Sequence, residues 1–213
     1  MTPAAVQDTV ALIPIKGFEH AKTRLRERLT ATERAELARG MFEHVLAQSL
    51  ACQRLSGVLV LSDADEIAEL AIQRGARALP DSAAAAGRPR LAQVVDRALE
   101  QLRSQGVARA LVLMADLPLL RTSDLEELLD ALEHSDVVLA PDARGPCTNA
   151  LGLRLPEAER FESAFGSEHS LALHEQRARA LGLRVRRAPN PRLSLDIDLP
   201  ADLDALARSR EDE

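Results

Sequence analysis

The sequence predicts an α/β fold of three layers, with helices on both faces of a mainly parallel, mixed sheet. Short apolar runs alternate along the chain with longer stretches of helical periodicity, which is the pattern of βαβ units. The composition, 46% apolar and 28% charged, is that of a globular protein. Because no repeat or linker divides the 213 residues, we expect one domain at 1–208, followed by a disordered tail at 209–213.

In the first half of the chain, strands and helices alternate three times. Gly57 opens the second strand, and the first helix begins with a capping box in which Thr30 and Glu33 can exchange hydrogen bonds. The predicted strands are residues 10–15, 57–62 and 76–79, and the predicted helices start at residue 30 or cover 63–74 and 91–102.

The second half continues the same alternation. The run ALVLMAD at 110–116 is the strongest predicted strand, because it is apolar until its last residue. Two further strands are predicted at 136–142 and 149–155, strand-like pieces at 183–187 and 193–198, and helices at 123–134, at 168–181 and from Pro200.

Charge and aromatic content argue against a nucleic-acid partner. The net charge is −6, whereas nucleic-acid binders normally present a basic face. The chain has no Trp, no Tyr and four Phe, so it offers few platforms on which bases could stack. Any base is therefore expected to be read by hydrogen bonds and aliphatic walls.

The sequence also predicts a cytoplasmic protein without a membrane partner. Its first residues lack a signal-peptide pattern, and no apolar stretch is long enough to span a bilayer. Cys52 and Cys147 match no zinc or redox spacing, so two reduced thiols are expected. The five histidines show no ligand spacing and are interpreted as surface or capping residues. The oligomeric state is left open, with a homodimer as the commonest outcome for such proteins.

Two acidic sites, at Asp116 and at Asp196 with Asp198, are candidates for metal binding. In open α/β sheets, ligands bind beyond the carboxyl ends of the strands, and Asp116 ends the strongest strand there. Asp196 and Asp198 share one face of an extended segment by its two-residue period. Mg²⁺ takes carboxylate and phosphate oxygens, so we predict that these three acids bind Mg²⁺. A turn or helix-capping role for Asp116 is the alternative.

A basic loop follows the first predicted strand. Lys22 and Thr23 match the last two residues of the P-loop pattern, but Ala21 occupies the position at which the pattern requires glycine. We therefore interpret residues 16–24 as a loop that holds a triphosphate through side-chain cations, with a solvated basic loop as the alternative. The predicted catalytic residues are Lys16, Lys22, Arg24 and Asp116.

Further polar residues lie at the same predicted edge. The nucleotide is expected to contact the basic loop and the residues that follow the second and third strands: Lys16, Lys22, Thr23, Arg24, Ser62, Asp63, Pro80 and Asp81. Arg144 offers a guanidinium fork and Thr148 a hydroxyl for an anionic substrate. Gly166 and Ser170 lie at a predicted helix N-terminus, which suits an anion, although a turn with a helix cap is the alternative.

Four motifs, in this order and spacing, resemble the 2-phospho-L-lactate / phosphoenolpyruvate guanylyltransferase family of coenzyme F-420 biosynthesis. They are IPIKGFEHAKTRL, VLMADLPLL, APDARGPCTNAL and LDIDLPADL, and the similarity covers residues 8–206. The resemblance implies a GT-A-like nucleotidyltransferase fold and Mg²⁺-dependent transfer of GMP from GTP, with release of pyrophosphate. The implied acceptor is a three-carbon phosphoacid: phosphoenolpyruvate, 2-phospho-L-lactate or 3-phospho-D-glycerate.

The resemblance also implies roles for particular residues. The metal ligands fall on Asp116 and on Asp198 or Asp196, and the phosphoacid-binding Thr, Gly and Ser on Thr148, Gly166 and Ser170, with Ser167 as a rival for Ser170. We add Arg144 and Asn149 to the predicted phosphoacid site. The chain departs from the family pattern at Pro146-Cys147, where Thr-Gly is common, and at Arg90-Leu91-Ala92, where Gly-Leu-Asn is common. The choice of phosphoacid and the reading of guanine therefore stay open.

Three other functions compete with this prediction. A P-loop kinase would use Lys22-Thr23 and Asp116, but it needs Ala21 to replace a glycine. Another GT-A-like nucleotidyltransferase would use CTP, or a sugar or molybdopterin phosphate as acceptor. A non-catalytic α/β ligand-binding module would have no use for the basic loop.

Overall fold

Residues 8–81 and 87–211 are described by a computed structural model. Its centre is a seven-stranded sheet in the order β3-β2-β1-β4-β6-β5-β7. In chain order the strands are β1 Thr9–Pro14, β2 Gly57–Leu61, β3 Arg77–Leu79, β4 Arg109–Leu113, β5 Val137–Pro141, β6 Thr148–Arg154 and β7 Val185–Arg187. The described helices are α1 Ala31–Ala51, α2 Asp65–Gln73, α3 Arg90–Ser104, α4 Thr122–Glu133, α5 Ser170–Ala180, α6 Pro191–Ser194 and α7 Pro200–Glu211.

The sheet is mainly parallel and mixed, as predicted. β1 pairs in parallel with both β2 and β4, and β5 pairs in parallel with β7. Only β6, among the described strands, runs against its neighbours β4 and β5. The chain leaves β1 toward β2 on one side and returns to β4 on the other, so β1 and β4 form the topological switch point at which ligands bind in such sheets.

Two hydrophobic layers confirm the three-layer architecture. Alternate residues of β1 point to opposite faces, with Ala11 and Ile13 in one core and Val10 and Leu12 in the other. The first core is covered by α1, α2 and α4, and the second by α3 and α5. Because both faces are covered, the central strands are continuous apolar runs, which explains why they were easy to identify in the sequence.

Local sequence signals set several helix boundaries. The capping box at α1 is confirmed: Glu33 N donates to Thr30 Oγ1 at 3.3 Å, and Thr30 N donates to Glu33 Oε2 at 2.8 Å. At α7, the backbone N–H groups of Asp198 and Leu199 donate to the carboxylate of Asp202, at 2.9 and 2.7 Å. The helix therefore begins at Pro200 as expected, and the side chain that accepts these N-terminal hydrogen bonds is that of Asp202, not that of Asp198.

The strand-like piece expected at 193–198 is wrong. Asn190 caps a short helix instead, with its side chain accepting hydrogen bonds from Arg192 N and Leu193 N, and Pro191 is at the first helical turn. Residues 195–198 belong to none of the seven described strands.

A buried aspartate ties this helix to the rest of the fold. Asp124, fully buried in the first turn of α4, accepts hydrogen bonds from Arg192 Nε at 3.0 Å and from Asn190 Nδ2 at 2.9 Å. Burial raises the pKa of Asp124, but the hydrogen bonds from Arg192, the Arg121 backbone and Asn190, together with the charge of Arg192, outweigh it and hold the pKa below its usual value. These bonds anchor the segment that leads to Asp196.

The disordered tail was expected to begin at residue 209, which is too early, because residues 209–211 are helical. Helix α7 continues to Glu211, and Ser209 Oγ donates to Ala205 O at 3.0 Å inside it. Residues 209–211 are therefore helical, while 212 and 213 lie outside the described residues. Within the described residues, no helix is both long and apolar enough to cross a membrane.

Candidate active site

Three acids from distant parts of the chain meet at the switch point. Asp116 follows β4, and Asp196 and Asp198 lie between α6 and α7. One carboxylate oxygen from each lies within 4.8 Å of the others. We call these residues the acid cluster. The predicted meeting of the three acids is thus found at the carboxyl edge of β1 and β4.

Lys22 bridges two members of the acid cluster. Its Nζ contacts Asp116 Oδ2 and donates to Asp198 Oδ1 at 2.9 Å. The backbone of Lys22 is left-handed, with a φ of 53°, and it is the one non-glycine residue with positive φ in the described part of the chain. Such strain concentrates at functional sites. Arg24 Nη1 lies 3.8 Å from Asp198 Oδ2 and adds a second positive charge.

The electrostatics of the acid cluster suit a divalent cation. Burial and the neighbouring charge of Asp116 raise the pKa of Asp196 above its usual value. Burial lowers the pKa of Lys22, but Asp116 and Asp198 outweigh it and raise that pKa above its ordinary value. Three crowded carboxylates thus face the Lys22 ammonium at short range, with the guanidinium groups of Arg24 and Arg144 farther off, each 3.8 Å from a carboxylate oxygen. Since Mg²⁺ prefers carboxylate oxygens and keeps open positions for phosphate oxygens, the residues present fit this ion.

Three adjoining cavities lie at this edge of the sheet, with volumes of about 300, 380 and 460 Å³. We call them cavities 1, 2 and 3. Lys16 lines cavities 1 and 2, Asp116 lines cavities 1 and 3, and Gly166 lines cavities 2 and 3. They therefore adjoin one another as parts of one cleft, with Asp116 at the junction of cavities 1 and 3.

Cavity 2 carries an ion-paired arginine. Arg90 Nε donates to Asp81 Oδ2 at 3.0 Å, and Arg90 Nη2 donates to Asp63 Oδ2 at 2.7 Å. The Asp81 side chain is only 7% exposed, whereas that of Asp63 is 51% exposed. The wall of this cavity therefore combines a buried carboxylate with a guanidinium group, which can pair with complementary donors and acceptors on a base.

Cavity 3 contains the residues predicted to bind the phosphoacid: Arg144, Thr148, Asn149, Gly166 and Ser170. Thr148 and Asn149 reach it because β6 is antiparallel, which puts the start of β6 beside the end of β4. Ser167 also lines this cavity, so both serines considered from the sequence are near the same space.

Arg144 and Asn149 are bound to the segment that carries Asp196 and Asp198. Arg144 Nη1 donates to Asp202 Oδ1 at 2.8 Å. Asn149 Nδ2 donates to Leu193 O at 3.0 Å and to Asp196 Oδ1 at 3.2 Å. Arg144 and Asn149 therefore hold the 193–202 segment in place, and with it the acid cluster.

Four residues predicted to bind the nucleotide lie beside the cleft, outside the lining of cavities 1 to 3: Thr23, Ser62, Asp63 and Pro80. Ser62 is buried, and its hydroxyl accepts from Ala64 N at 3.2 Å before α2. Thr23 is exposed in a short 3-10 turn, Thr23–Leu25. Asp63 reaches the cleft only through its ion pair with Arg90.

The sequence interpretation of the histidines is wrong for His174. This residue is fully buried on α5, and its Nδ1 lies 3.0 Å from Thr148 Oγ1 in the wall of cavity 3. A signal was present, because His174 follows the buried Leu171 by three residues and precedes the buried Ala178 by four. That spacing puts all three side chains on one helix face.

Gly166 is required where two parts of the cleft meet. Its φ is +85°, a conformation that side chains disfavour, and an added Cβ would lie 2.8 Å from Pro89 Cβ. Because Gly166 lines both cavity 2 and cavity 3, this close approach sets the width of the passage between them.

The fold and the site together define a nucleotidyltransferase-type α/β protein. The structure superimposes on a crystal structure from Desulfovibrio desulfuricans, assigned as a candidate nucleotide-diphospho-sugar transferase, with a TM-score of 0.78. The identity is 20%, and the match covers 95% of this chain and 87% of the other. This likeness confirms the predicted fold class.

The chain belongs to the guanylyl transferase CofC-like family, whose model matches residues 9–212. It is 36% identical to the phosphoenolpyruvate guanylyltransferase of Sphaerobacter thermophilus over 93% of this chain and 92% of the relative. It is 34% identical to the 2-phospho-L-lactate guanylyltransferase of Methanothermobacter thermautotrophicus, over 92% of this chain and 82% of the relative. It is 31% identical to the 3-phospho-D-glycerate guanylyltransferase of Phenylobacterium zucineum, over 93% of this chain and 89% of the relative. The predicted family is confirmed.

Proposed function

We propose that this protein transfers GMP from GTP to the phosphate of a small phosphoacid and releases pyrophosphate. The single observation that carries the proposal is the meeting of the acid cluster with Lys22 where cavities 1 and 3 adjoin. Family membership supports it, because relatives over most of the chain are named as guanylyltransferases of three-carbon phosphoacids. The acceptor is one of the acids that those relatives use.

The reaction needs positioning and charge neutralisation more than acid–base chemistry. A phosphate oxygen of the phosphoacid attacks the α-phosphorus of GTP, a new P–O–P bond forms, and the bond between the α- and β-phosphates breaks to release pyrophosphate. The attacking phosphate is already anionic at neutral pH, so no general base is required. Lys16, Lys22 and Arg24 neutralise charge on the triphosphate, and Mg²⁺ on the acid cluster supplies further neutralisation when bound.

Cavity 2 is our proposed site for the guanine base. Guanine presents N–H donors at N1 and at its 2-amino group, next to the O6 acceptor. The buried carboxylate of Asp81 matches the donors, and the guanidinium of Arg90 matches the acceptor. Such a pair discriminates between bases, because a base with the opposite pattern of donors and acceptors would place acceptors against the Asp81 carboxylate and donors against the guanidinium.

Substrate panels provide the direct test. The protein is incubated with Mg²⁺, one nucleoside triphosphate and one of the three phosphoacids, and pyrophosphate release is followed. Release only with GTP and a phosphoacid supports the proposal. Release with CTP or with a sugar phosphate would favour a related nucleotidyltransferase, formation of ADP would favour a kinase, and no reaction in any mixture would favour a ligand-binding module.

Asp116→Asn tests the catalytic role of the acid cluster. We expect kcat to fall by at least about 100-fold, because one oxygen that holds the cation is lost, while Tm stays within about 3 °C. The matched control is Asp130→Asn. Asp130 is an exposed residue of α4, and its carboxylate pairs with Arg54. Wild-type turnover by the Asp116 variant would contradict the assignment of the metal site.

A further inference from the structure

His174 has no contact with the acid cluster, yet it is held in one orientation. Its ring is fully buried on α5 and packs edge-on against Phe165, with ring centroids 4.8 Å apart. Both ring nitrogens have partners: Nε2 lies 2.7 Å from Ala164 N, and Nδ1 lies 3.0 Å from Thr148 Oγ1. A buried polar ring with both nitrogens satisfied has a defined position and a defined hydrogen-bond polarity.

The backbone determines which ring nitrogen carries the proton. Ala164 N–H can only donate, so Nε2 of His174 must accept. Burial and the charge of Arg177 lower the pKa of His174 from 6.5 to about 3, so the ring is neutral at physiological pH. The single ring proton is therefore on Nδ1, and Nδ1–H donates to Thr148 Oγ1.

The direction of the hydrogen bond from His174 determines what the Thr148 hydroxyl, in the wall of cavity 3, can donate to. Since Thr148 Oγ1 accepts from His174, the hydrogen of the Thr148 hydroxyl must point to another acceptor. Thr148 N likewise donates to Ser170 Oγ at 3.0 Å, which leaves the Ser170 hydroxyl with a hydrogen of its own to donate. Both residues line cavity 3. Two hydroxyl donors of this kind suit an oxyanion, which can only accept.

We propose that His174 is a positioning residue for the phosphoacid: by donating to Thr148 Oγ1, it fixes the Thr148 hydroxyl as a donor to an anionic oxygen of the bound acid. The inference rests on the proposed function, because it concerns the acceptor site of that reaction. His174 itself touches no substrate, so its effect is on acceptor binding.

Two variants of His174 form a matched pair. His174→Asn and His174→Leu both remove the ring and the acceptor for Ala164 N–H, but only Asn keeps a donor at the place of Nδ1. We expect His174→Leu to raise KM for the phosphoacid about tenfold, the effect of weakening one hydrogen bond to a charged group. We expect His174→Asn to stay within about threefold of wild type, with kcat and KM for GTP unchanged in both. Equal increases in the two variants would overturn the proposal.

Thr148→Val provides the second arm, since it removes the hydroxyl through which His174 is proposed to act. In that background, His174→Leu should cause no further increase in KM for the phosphoacid. Additive effects of the two substitutions would overturn the proposal. Calorimetric titration with phosphoenolpyruvate gives the same comparison without turnover, which separates this inference from the proposed reaction.

The third readout is independent of any substrate. Two-dimensional ¹⁵N–¹H NMR of the imidazole nitrogens, assigned with His174→Asn, should show His174 protonated at Nδ1 and unchanged between pH 8 and about 5. A ring protonated at Nε2, or one that titrates in this range, would overturn the inference even if the transferase activity is present.

Discussion

At the scale of single residues, Lys22 joins parts of the chain that are far apart in sequence. Its ammonium contacts Asp116, 94 positions away, and Asp198, 176 positions away. Without this cation the carboxylates of the acid cluster would repel one another in a half-buried setting. Lys22 therefore holds two of the acids together through its own ion pairs.

His174 makes stability depend on pH. Its pKa is 6.5 when exposed and about 3 when buried, so the unfolded chain binds a proton more readily than the folded protein. The contribution of the neutral His174 ring to the free energy of unfolding is fully present above pH 6.5 and is lost progressively as the pH falls toward 3. Each pH unit in that window costs up to about 1.4 kcal/mol. We expect the unfolding free energy, from urea titrations, to fall by about 2 kcal/mol from pH 6.5 to 4.5.

His174→Asn isolates this contribution, because the variant has no ring to protonate. Its unfolding free energy should change less over the same pH range than that of the wild type. Carboxylates whose pKa values are lowered, such as those of Asp136 and Asp202, lose their contribution at more acidic pH and are common to both proteins. Parallel pH curves for the two proteins would contradict a buried, neutral His174.

Asp81→Asn should change the preferred base. An asparagine amide can donate to the 2-oxo group of xanthine, where guanine has a 2-amino donor. We expect the preference for GTP over XTP in kcat/KM to fall by at least about tenfold, measured by pyrophosphate release with each nucleotide. Asp63→Asn is the matched control, since Asp63 also pairs with Arg90 but is exposed. An unchanged preference in the Asp81 variant would contradict the position proposed for guanine.

At the scale of elements, Gly166→Ala tests the passage between cavities 2 and 3. The variant combines a positive φ with a Cβ too close to Pro89, so we expect it to lose about 1–3 kcal/mol of stability and to raise KM for both substrates. Tm and the two KM values are the measurements. Gly182→Ala is the control, since Gly182 has a φ of +73° with open space around it. Equal effects of the two substitutions would show that backbone strain alone is responsible.

Element prediction succeeded where one physical signal dominated. The buried strands were evident from their apolar runs, and α1 from its capping box. The piece at 193–198 was misread because alternation alone does not reveal a strand partner, and its hydrogen bonds go to the side chains of Asn149 and Asp202 instead. On α5 the three- and four-residue spacing of the buried residues Leu171, His174 and Ala178 was overlooked, because the residues next to His174 in the sequence are mostly polar.

At the scale of the whole molecule, the strand order explains why the acids could be predicted and their partners could not. Parallel strands end at a common edge, so Asp116 and Lys22 were expected to be neighbours. The direction of β6 and the ion pairs of Arg90 and Arg144 depend on tertiary packing, about which a single sequence carries no pattern. The location of the site was therefore predictable, and its internal hydrogen bonds were not.

Binding of GTP and Mg²⁺ should be mutually reinforcing. The acid cluster offers a few oxygens, and Mg²⁺ needs more to complete its octahedron, which the triphosphate supplies. We expect the Tm increase with both ligands to exceed the sum of the separate increases, reaching about 5–10 °C at concentrations about 100-fold above Kd. Differential scanning fluorimetry measures this, with Asp116→Asn as the variant that loses the excess. Strictly additive increases would contradict a shared site.

The reversed direction of β6 has a consequence for how this architecture diversifies. Part of the wall of cavity 3 comes from the turn that enters β6 and from the N-terminus of α5, whereas the ends of β1 and β2 line cavity 2. Side chains in that turn can change without altering the register of the parallel strands. Under the proposed assignment of cavity 3 to the phosphoacid, a graft of residues 142–148 between relatives should change acceptor choice and leave the nucleotide site unaltered.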